Sequence, residues 1–180
     1  MGGLESSGVP LLVVTGASGV GKSSAVTALS ARARARTNCF FFDSIGVPSP
    51  EVIERDFGGG ERWQADATKR WIARLSVEGS AGDVNVLDGQ TRPSFIRAAL
   101  ESAPSVRSQI VLLDCDPAVR SARLAGRGHS DLDTPQMNTW AAYLRGQADA
   151  LELPVIQTSE LSVEEVASAI EELVEALRAG

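Results

Sequence analysis

The chain has 180 residues, with 17 basic and 23 acidic side chains and a formal net charge of −6. This length suits a single α/β domain, and the acidic balance disfavours non-specific binding to nucleic acid or membranes, where a basic face would supply the affinity. No stretch approaches the roughly 18 apolar residues of a membrane span, and neither Cys39 nor Cys115 has metal-ligand spacing. We therefore expect a cytoplasmic protein with one domain over residues 10–180, preceded by a flexible leader over residues 1–9.

A phosphate-binding motif follows the first apolar segment. Residues 16–23 fit the pattern G-x-x-x-x-G-K-[ST], and they lie between an apolar strand at residues 11–14 and an alanine-rich helix. The glycines let backbone N–H groups surround a phosphate, the lysine adds a mobile charge, and the serine offers a hydroxyl to Mg²⁺. The predicted nucleotide-binding residues of this segment are Gly16, Ala17, Ser18, Gly19, Val20, Gly21, Lys22, Ser23 and Ser24.

The next segment predicts a helix over residues 20–35 and then a strand. The helix ends with Arg32, Arg34 and Arg36, which we expect to be solvated. The apolar run at residues 38–42 is typical of a parallel strand covered on both faces, and Asp43 follows it. Open α/β sheets bind ligands at the carboxyl ends of their strands. Asp43 is therefore either a turn residue or helix cap, or a carboxylate that faces the substrate.

Residues 44–79 predict an excursion of two helices, which we call the flap. Ser49 can cap and Pro50 can open a short helix that ends near residue 57, and three glycines then separate it from a helix over residues 61–77. In the second helix one apolar stripe recurs every four residues and includes two tryptophans. This pattern favours a core position for the tryptophans over a platform that stacks on a ligand.

A third strand is predicted over residues 83–87, and it leads directly to Asp88, Gly89, Gln90, Thr91 and Arg92. These polar residues stand at the end of a strand, as Asp43 does. A helix and a fourth strand at residues 109–113 follow, and Pro117 is expected to open the next helix.

That helix carries the most suggestive local charge in an acidic chain. Arg120, Arg123 and Arg127 recur at i, i+3 and i+7, so the spacing predicts three guanidinium groups on one side of the helix. The polar segment at residues 127–134 has the composition of a mobile lid. A solvated basic face is the alternative interpretation.

Three further elements complete the chain. A helix begins at Thr134 and Pro135 with a buried stripe that includes Met137 and Trp140, and a short strand is predicted over residues 153–156. The last helix has a capping box formed by Ser162 and Glu165. Five strands that alternate with helices predict a three-layer α/β fold with a five-stranded parallel sheet and right-handed crossovers.

The order of these parts resembles that of the small P-loop kinases, the group of adenylate kinase and the shikimate and gluconate kinases. Residues 88–92 (DGQTR) are similar to the D-G-F-P-R segment of nucleoside monophosphate kinases, which implies that Asp88 serves the Mg²⁺ region and Arg92 holds an acceptor phosphate. Residues 123–127 (RLAGR) resemble R-[IL]-x-G-R at the lid, which implies that Arg123 packs on the adenine and Arg127 meets phosphate. The resemblance also implies that residues 157–161 border the base.

The departures from this pattern bear on the acceptor. Gln90 and Thr91 replace the usual Phe-Pro, the lid is short, and the Thr-Gly-Asp pattern after the first helix is not evident. Asp43 instead resembles the acidic residue that small-metabolite kinases have after their second strand. That similarity implies a hydroxyl acceptor.

The sequence therefore predicts a kinase of the P-loop fold that uses ATP and Mg²⁺ and transfers the γ-phosphoryl group to a small polar molecule. A nucleoside monophosphate kinase is one alternative, and a nucleotide-dependent switch or accessory ATPase is another. We expect a monomer or homodimer without nucleic-acid or membrane partners. The predicted catalytic residues are Lys22, Asp43, Arg123 and Arg127; the predicted substrate-binding residues are Asp43, Arg55, Arg62, Asp88, Gln90 and Arg92; Ser23 and, through water, Asp88 are the predicted metal-binding residues.

Overall fold

A five-stranded, all-parallel sheet organises the computed structural model, which describes residues 8–80 and 82–180. The strands are β1 (Leu11–Thr15), β2 (Thr37–Phe41), β3 (Val84–Asp88), β4 (Ser108–Asp114) and β5 (Val155–Gln157). The helices are α1 (Lys22–Ser30), α2 (Pro50–Phe57), α3 (Gly60–Leu75), α4 (Pro93–Glu101), α5 (Pro117–Gly126), α6 (Pro135–Ala150) and α7 (Val163–Ala179). Most of the predicted leader, residues 1–7, lies outside the described residues.

The strand order is β2-β3-β1-β4-β5, which makes β1 the central strand. Leu11 lies beside Asn85 of β3 and Ser108 of β4, and all four strand pairs are parallel. Strands β2 and β3 lie on one side of β1, and β4 and β5 lie on the other. The strand order therefore changes direction at β1. Ligands of open parallel sheets bind at such a point, beyond the carboxyl ends of the strands. The motif after β1 lies there.

Apolar side chains fill the space on both faces of the sheet. One buried cluster joins the sheet to α1, α6 and α7, and a second joins it to α3 and α4. Every residue of β1 is fully buried, as expected of a central strand with a helical layer on each side. The predicted three-layer fold is confirmed. Among the described residues, no helix is long and apolar enough to cross a membrane.

The strand β2 differs from its prediction because it forms an edge of the sheet. Its five residues are all half-buried, although the apolar run predicted a strand covered on both faces. The run continues past the strand, and Phe42 is buried in a single 3₁₀ turn, Phe42–Ile45. This turn holds Asp43 just beyond the end of β2.

The helix α1 ends at Ser30, and the predicted continuation to residue 35 is wrong. Arg32 has an extended backbone, and its guanidinium pairs with Glu171 at 2.6 Å and with Glu164 at 2.7 Å, both on α7. Its side chain is only 17% exposed, so the prediction that it is solvated is also wrong. These contacts with α7 outweigh the helical propensity of the alanine-rich segment.

The flap folds as its pattern predicts. Ser49 accepts a hydrogen bond from the backbone N–H of Val52, and Gly58 and Gly59 separate α2 from α3. Trp63 and Trp71 are buried, and the indole N–H of Trp71 donates to the Phe42 carbonyl at 3.0 Å. The tryptophans of α3 are therefore core residues, and they attach the flap to the end of β2.

Candidate active site

The phosphate-binding motif forms a tight loop between β1 and α1. Gly16 has φ of 151° and Gly19 has φ of 85°, and residues other than glycine rarely adopt these backbone conformations. A Cβ at Gly16 would collide with the Leu113 carbonyl, and one at Gly19 would lie 2.6 Å from Cγ of Arg120. The loop therefore needs glycine both for its backbone conformation and for its close approach to β4 and α5.

Lys22 is the first residue of α1 and is 8% exposed. Its ammonium donates to the Ala17 carbonyl at 2.9 Å, which holds the side chain back across the loop. Burial lowers the pKa of Lys22, and this effect outweighs the attraction to Asp88 and Asp43. A bound phosphate would favour the charged ammonium and so oppose the effect of burial on the pKa of Lys22.

Ser23 and Asp88 form the second part of the site. The Ser23 hydroxyl donates to Oδ2 of Asp88 at 2.5 Å, and this bond joins α1 to the end of β3. Asp88 is 4% exposed, and burial raises the pKa of its carboxyl group. Its other oxygen, Oδ1, is buried without a hydrogen-bond partner among the described residues.

The Ser23 hydroxyl and the unpartnered Oδ1 of Asp88 fit Mg²⁺, the cation that the fold family implies. Magnesium takes one or two protein oxygens and completes its shell with water and phosphate oxygens. Accordingly, the described residues contain no cluster of three or more acidic, histidine or cysteine side chains that could hold a metal alone. The unpartnered oxygen of Asp88 and the hydroxyl of Ser23 are the two groups that would serve it.

A cavity of about 230 Å³ lies beside the loop, and Asp43 lines it together with Lys22 and Asp88. The Asp43 carboxylate is exposed, and its charge acts on both groups. It partly opposes the lowering of the Lys22 pKa and adds to the raising of the Asp88 pKa. Asp43 thus has features of both interpretations, because it lies in a 3₁₀ turn and also lines the cavity. The other lining residues are Ser18, Gly19, Gly21, Ser23, Phe41, Phe42, Gly89, Gln90, Leu124, Arg127, His129 and Leu132.

The helical spacing predicted that the guanidinium groups of Arg120, Arg123 and Arg127 lie on one side of the helix, and in the structure each of them has a different partner. Arg120 is 1% exposed, and its guanidinium donates to Asn138 at the start of α6. Arg123 donates to the Thr158 carbonyl at 2.6 Å and to its hydroxyl at 2.9 Å. Arg127 alone lines the cavity, and it donates to the Ser24 hydroxyl at 2.9 Å.

Arg123 connects three segments of the site. It also donates to the Val20 carbonyl of the phosphate loop, and the Thr158 hydroxyl donates to that same carbonyl at 2.8 Å. Thr158 is fully buried and follows β5, within the segment that the resemblance assigned to the base. Arg123 therefore lies where the loop, α5 and this segment meet.

Gln90 and Arg92 belong to a chain of hydrogen bonds that leads away from the loop. The Ser18 hydroxyl donates to the Gln90 side chain at 2.8 Å, and the Gln64 amide donates to the Gln90 carbonyl at 3.1 Å. Arg92 in turn donates to Oε1 of Gln64 at 2.7 Å. Two of the predicted substrate residues, Gln90 and Arg92, are thus held together by α3.

The structure does not bring the two flap arginines to this group. Arg55 is exposed and pairs with Asp56, its neighbour in α2, at 2.6 Å. Arg62 is also exposed, with its guanidinium near Gly58. Neither side chain is among the described residues that line the cavity beside the loop.

Sequence reasoning missed Gln64 as part of the site, and it reached Thr158 only through the resemblance, which assigned residues 157–161 to the base. Each makes its important contacts with residues 26 or more positions away, so local spacing carries no signal for them. The one local indication for Gln64 is that this half-buried polar residue follows Trp63 of the buried stripe of α3.

Comparison with solved structures supports the fold assignment. A gluconokinase from Sinorhizobium meliloti 1021 aligns with 19% identity over 94% of each chain and a TM-score of 0.64. A shikimate kinase from Acinetobacter baumannii aligns with 16% identity over 93% of this chain and 94% of its own, with a TM-score of 0.60. The APS kinase of Mycobacterium tuberculosis has 15% identity, covers 93% and 98% of the two chains, and has a TM-score of 0.61.

A scan against protein-family models and a search of the curated proteins give no match. The chain thus has the fold of the small P-loop kinases, and at these identities the likeness concerns the fold.

Proposed function

We propose that the protein is an ATP-dependent kinase that transfers the γ-phosphoryl group to a hydroxyl of a small polar molecule. The carrying observation is the shared cavity of Asp43, Lys22 and Asp88 at the carboxyl edge of the sheet. The Asp43 carboxylate would repel the phosphates of a bound nucleotide, so its position beside the loop only weakens nucleotide binding unless the group takes part in the reaction. The similar structures include gluconokinase and shikimate kinase, which are named for small metabolites.

The loop residues bind and orient the nucleotide in this proposal. Backbone N–H groups of the glycine-rich loop and the N-terminus of α1 surround the phosphates, and Lys22 leaves the Ala17 carbonyl to contact them. Arg127 is exposed at the edge of the cavity, and it can turn from Ser24 to a transferring phosphoryl group. Magnesium, held by Ser23 and Asp88, would neutralise phosphate charge.

Asp43 supplies the function that distinguishes a hydroxyl acceptor. An alcohol must lose its proton as it attacks phosphorus, and a nearby carboxylate can accept or align that proton. A monophosphate oxygen is already ionised and needs no such base. The role of Asp43 therefore separates the proposed activity from that of a nucleoside monophosphate kinase.

The test is transfer of labelled γ-phosphate from ATP to a metabolite library that includes sugars, hydroxy acids, nucleosides and all nucleoside monophosphates. We expect label on a hydroxyl and at least about tenfold slower transfer by Asp43→Asn. Asp66→Asn is the matched control, because Asp66 is an exposed residue of α3 that pairs with Arg70. Transfer to a monophosphate with Asp43→Asn fully active would support the monophosphate alternative. ATP hydrolysis that responds to no compound would favour a switch or accessory ATPase.

A further inference from the structure

A second cavity, of about 490 Å³, lies away from the phosphate loop and has an aromatic wall. We call it the ring cavity. It is formed by Glu61 of α3, by Arg92, and by α6, which contributes Pro135, Gln136, Thr139, Trp140 and Tyr143. Its volume is in the range of small-molecule sites. The nucleotide does not account for it, since the loop residues line the other cavity.

The aromatic wall of the ring cavity is a stacked pair. The rings of Trp140 and Tyr143 have centroids 5.6 Å apart and planes inclined by only 22°. Tyr143 is 43% exposed, so a large part of its surface is accessible to a ligand in the cavity. Flat, partly exposed ring faces favour a planar ligand over a puckered polyhydroxyl compound, because stacking requires parallel surfaces.

Arg92 gives the ring cavity a fixed positive group. Its guanidinium lies 4.9 Å from the centre of the Trp140 ring and 5.1 Å from that of Phe95, and its side chain is only 17% exposed. Gln64 fixes its orientation. Its one acidic neighbour in the cavity is Glu61, which is 3.5 Å away and 69% exposed. A carboxylate or phosphate that enters the cavity can replace this loosely held partner.

A chain of hydrogen bonds links the two cavities. Gln64 contacts both Gln90, which lines the cavity beside the loop, and Arg92, which lines the ring cavity. We infer that the ring cavity binds the planar ring and the anionic group of the acceptor, a small molecule whose reacting hydroxyl extends to Asp43 in the cavity beside the loop. The inference rests on the proposed function, because it names the class of molecule that receives the phosphoryl group.

The test uses simple probes and does not require the acceptor itself. Benzoate has both features, cyclohexanecarboxylate keeps the charge without the planar ring, and benzyl alcohol keeps the ring without the charge. The chain has three tryptophans, so the indole N–H signals of ¹⁵N-labelled protein report on binding, with Trp140 assigned by a Trp140→Phe variant. We expect benzoate to shift the Trp140 signal and to bind at least about fivefold more tightly than either matched probe.

Two variants check the residues involved. Arg92→Gln should weaken benzoate binding at least about fivefold and leave benzyl alcohol unaffected, and Tyr143→Leu should weaken both aromatic probes. Arg70→Gln, on the exposed face of α3, is the control that should bind as the wild type does. Equal binding of cyclohexanecarboxylate, or benzoate binding that is indifferent to both variants, would overturn the inference. Backbone signals of Gly19 and Gly21 in a separate MgATP titration report on the proposed function independently.

Discussion

Two buried charged groups, Lys22 and Asp88, dominate the site at the scale of single residues. Burial lowers the pKa of Lys22 and raises that of Asp88, because it favours the neutral form of each group. Their mutual attraction only partly offsets this effect. Neither group has its full set of partners within the described chain, since Lys22 bonds to a carbonyl and Asp88 has an unpartnered oxygen. Buried charged groups without full partners lower the stability of the ligand-free fold, and they are typical of binding and catalytic sites.

The first prediction concerns Asp88 and pH. Its pKa in the folded chain is raised above the ordinary value of 3.8, so the folded chain retains the proton to higher pH than the unfolded chain. Between these two pKa values stability falls as pH rises, and at neutral pH the full cost is present. Thermal melts of the protein without nucleotide should therefore show a higher Tm for Asp88→Asn than for the wild type at about pH 7. The difference should shrink as the pH falls through the raised pKa toward 3.8.

A lower Tm of Asp88→Asn at neutral pH would contradict this account. It would mean that attraction to Lys22 and the bond from Ser23 stabilise the carboxylate more than burial destabilises it. Asp66→Asn serves as the control, because Asp66 is an exposed partner of Arg70 and its replacement should change Tm little.

The phosphate loop could be predicted at this scale, because its chemistry depends on adjacent residues. The positions of Asp43 and Asp88 at the carboxyl edge of the sheet could be predicted as well, since each stands at the end of an apolar strand of a parallel sheet. The environment of Arg92 could not. Its aromatic partners Trp140 and Tyr143 lie about 50 residues further along the chain, and only tertiary structure joins them to it.

At the scale of elements, the helix α5 shows how one spacing can serve different purposes. Arg120 is buried under the phosphate loop, Arg123 joins the loop to the segment after β5, and Arg127 remains exposed. Helical periodicity predicted a common direction for the three guanidinium groups. It could not predict their partners, because those partners come from α1, α6 and the end of β5.

The second prediction separates the roles of Arg123 and Arg127. Arg127→Ala should lower the rate of phosphoryl transfer at least about tenfold while the free energy of unfolding changes by no more than about 0.5 kcal/mol, since an exposed side chain contributes little to stability. Arg123→Ala should instead destabilise the chain by about 1–3 kcal/mol, because it removes three hydrogen bonds, two of them to the fully buried Thr158. Urea denaturation of both variants, with Arg70→Ala as control, measures the difference.

An Arg127→Ala variant with unchanged transfer would remove this residue from the mechanism. Arg123→Ala with wild-type stability would show that its three hydrogen bonds do not hold the loop against the segment after β5.

Element boundaries were predictable where a local signal sets them. Ser49 and Pro50 open α2, and Ser162 caps α7 with Glu165 in a capping box, as predicted. The end of α1 was not predictable, because it depends on ion pairs between Arg32 and α7, about 130 residues further along the chain. Local signals thus determine helix starts here, and distant contacts determine one helix end.

At the scale of the whole molecule, the strand order places every predicted polar strand end on one edge of the sheet. Asp43 follows β2, Asp88 ends β3 and the loop follows β1, and these three strands are neighbours. The lid borders the cavity beside the loop at the same edge, through Arg127, His129 and Leu132. This architecture was predictable from the alternation of strands and helices, since parallel strands share the direction of their carboxyl ends.

Binding of MgATP to the loop is the claim on which the rest of the account depends. Thermal-shift titration of the wild type, Lys22→Ala and the exposed-lysine control Lys69→Ala tests it most directly. A ligand at about 100 times its Kd adds about 2.7 kcal/mol, which raises Tm by roughly 5–10 °C for a chain of this length. We expect this shift in the wild type and in Lys69→Ala, and its loss in Lys22→Ala with the fold intact. No stabilisation of the wild type at millimolar MgATP, or an equal shift in Lys22→Ala, would contradict the account.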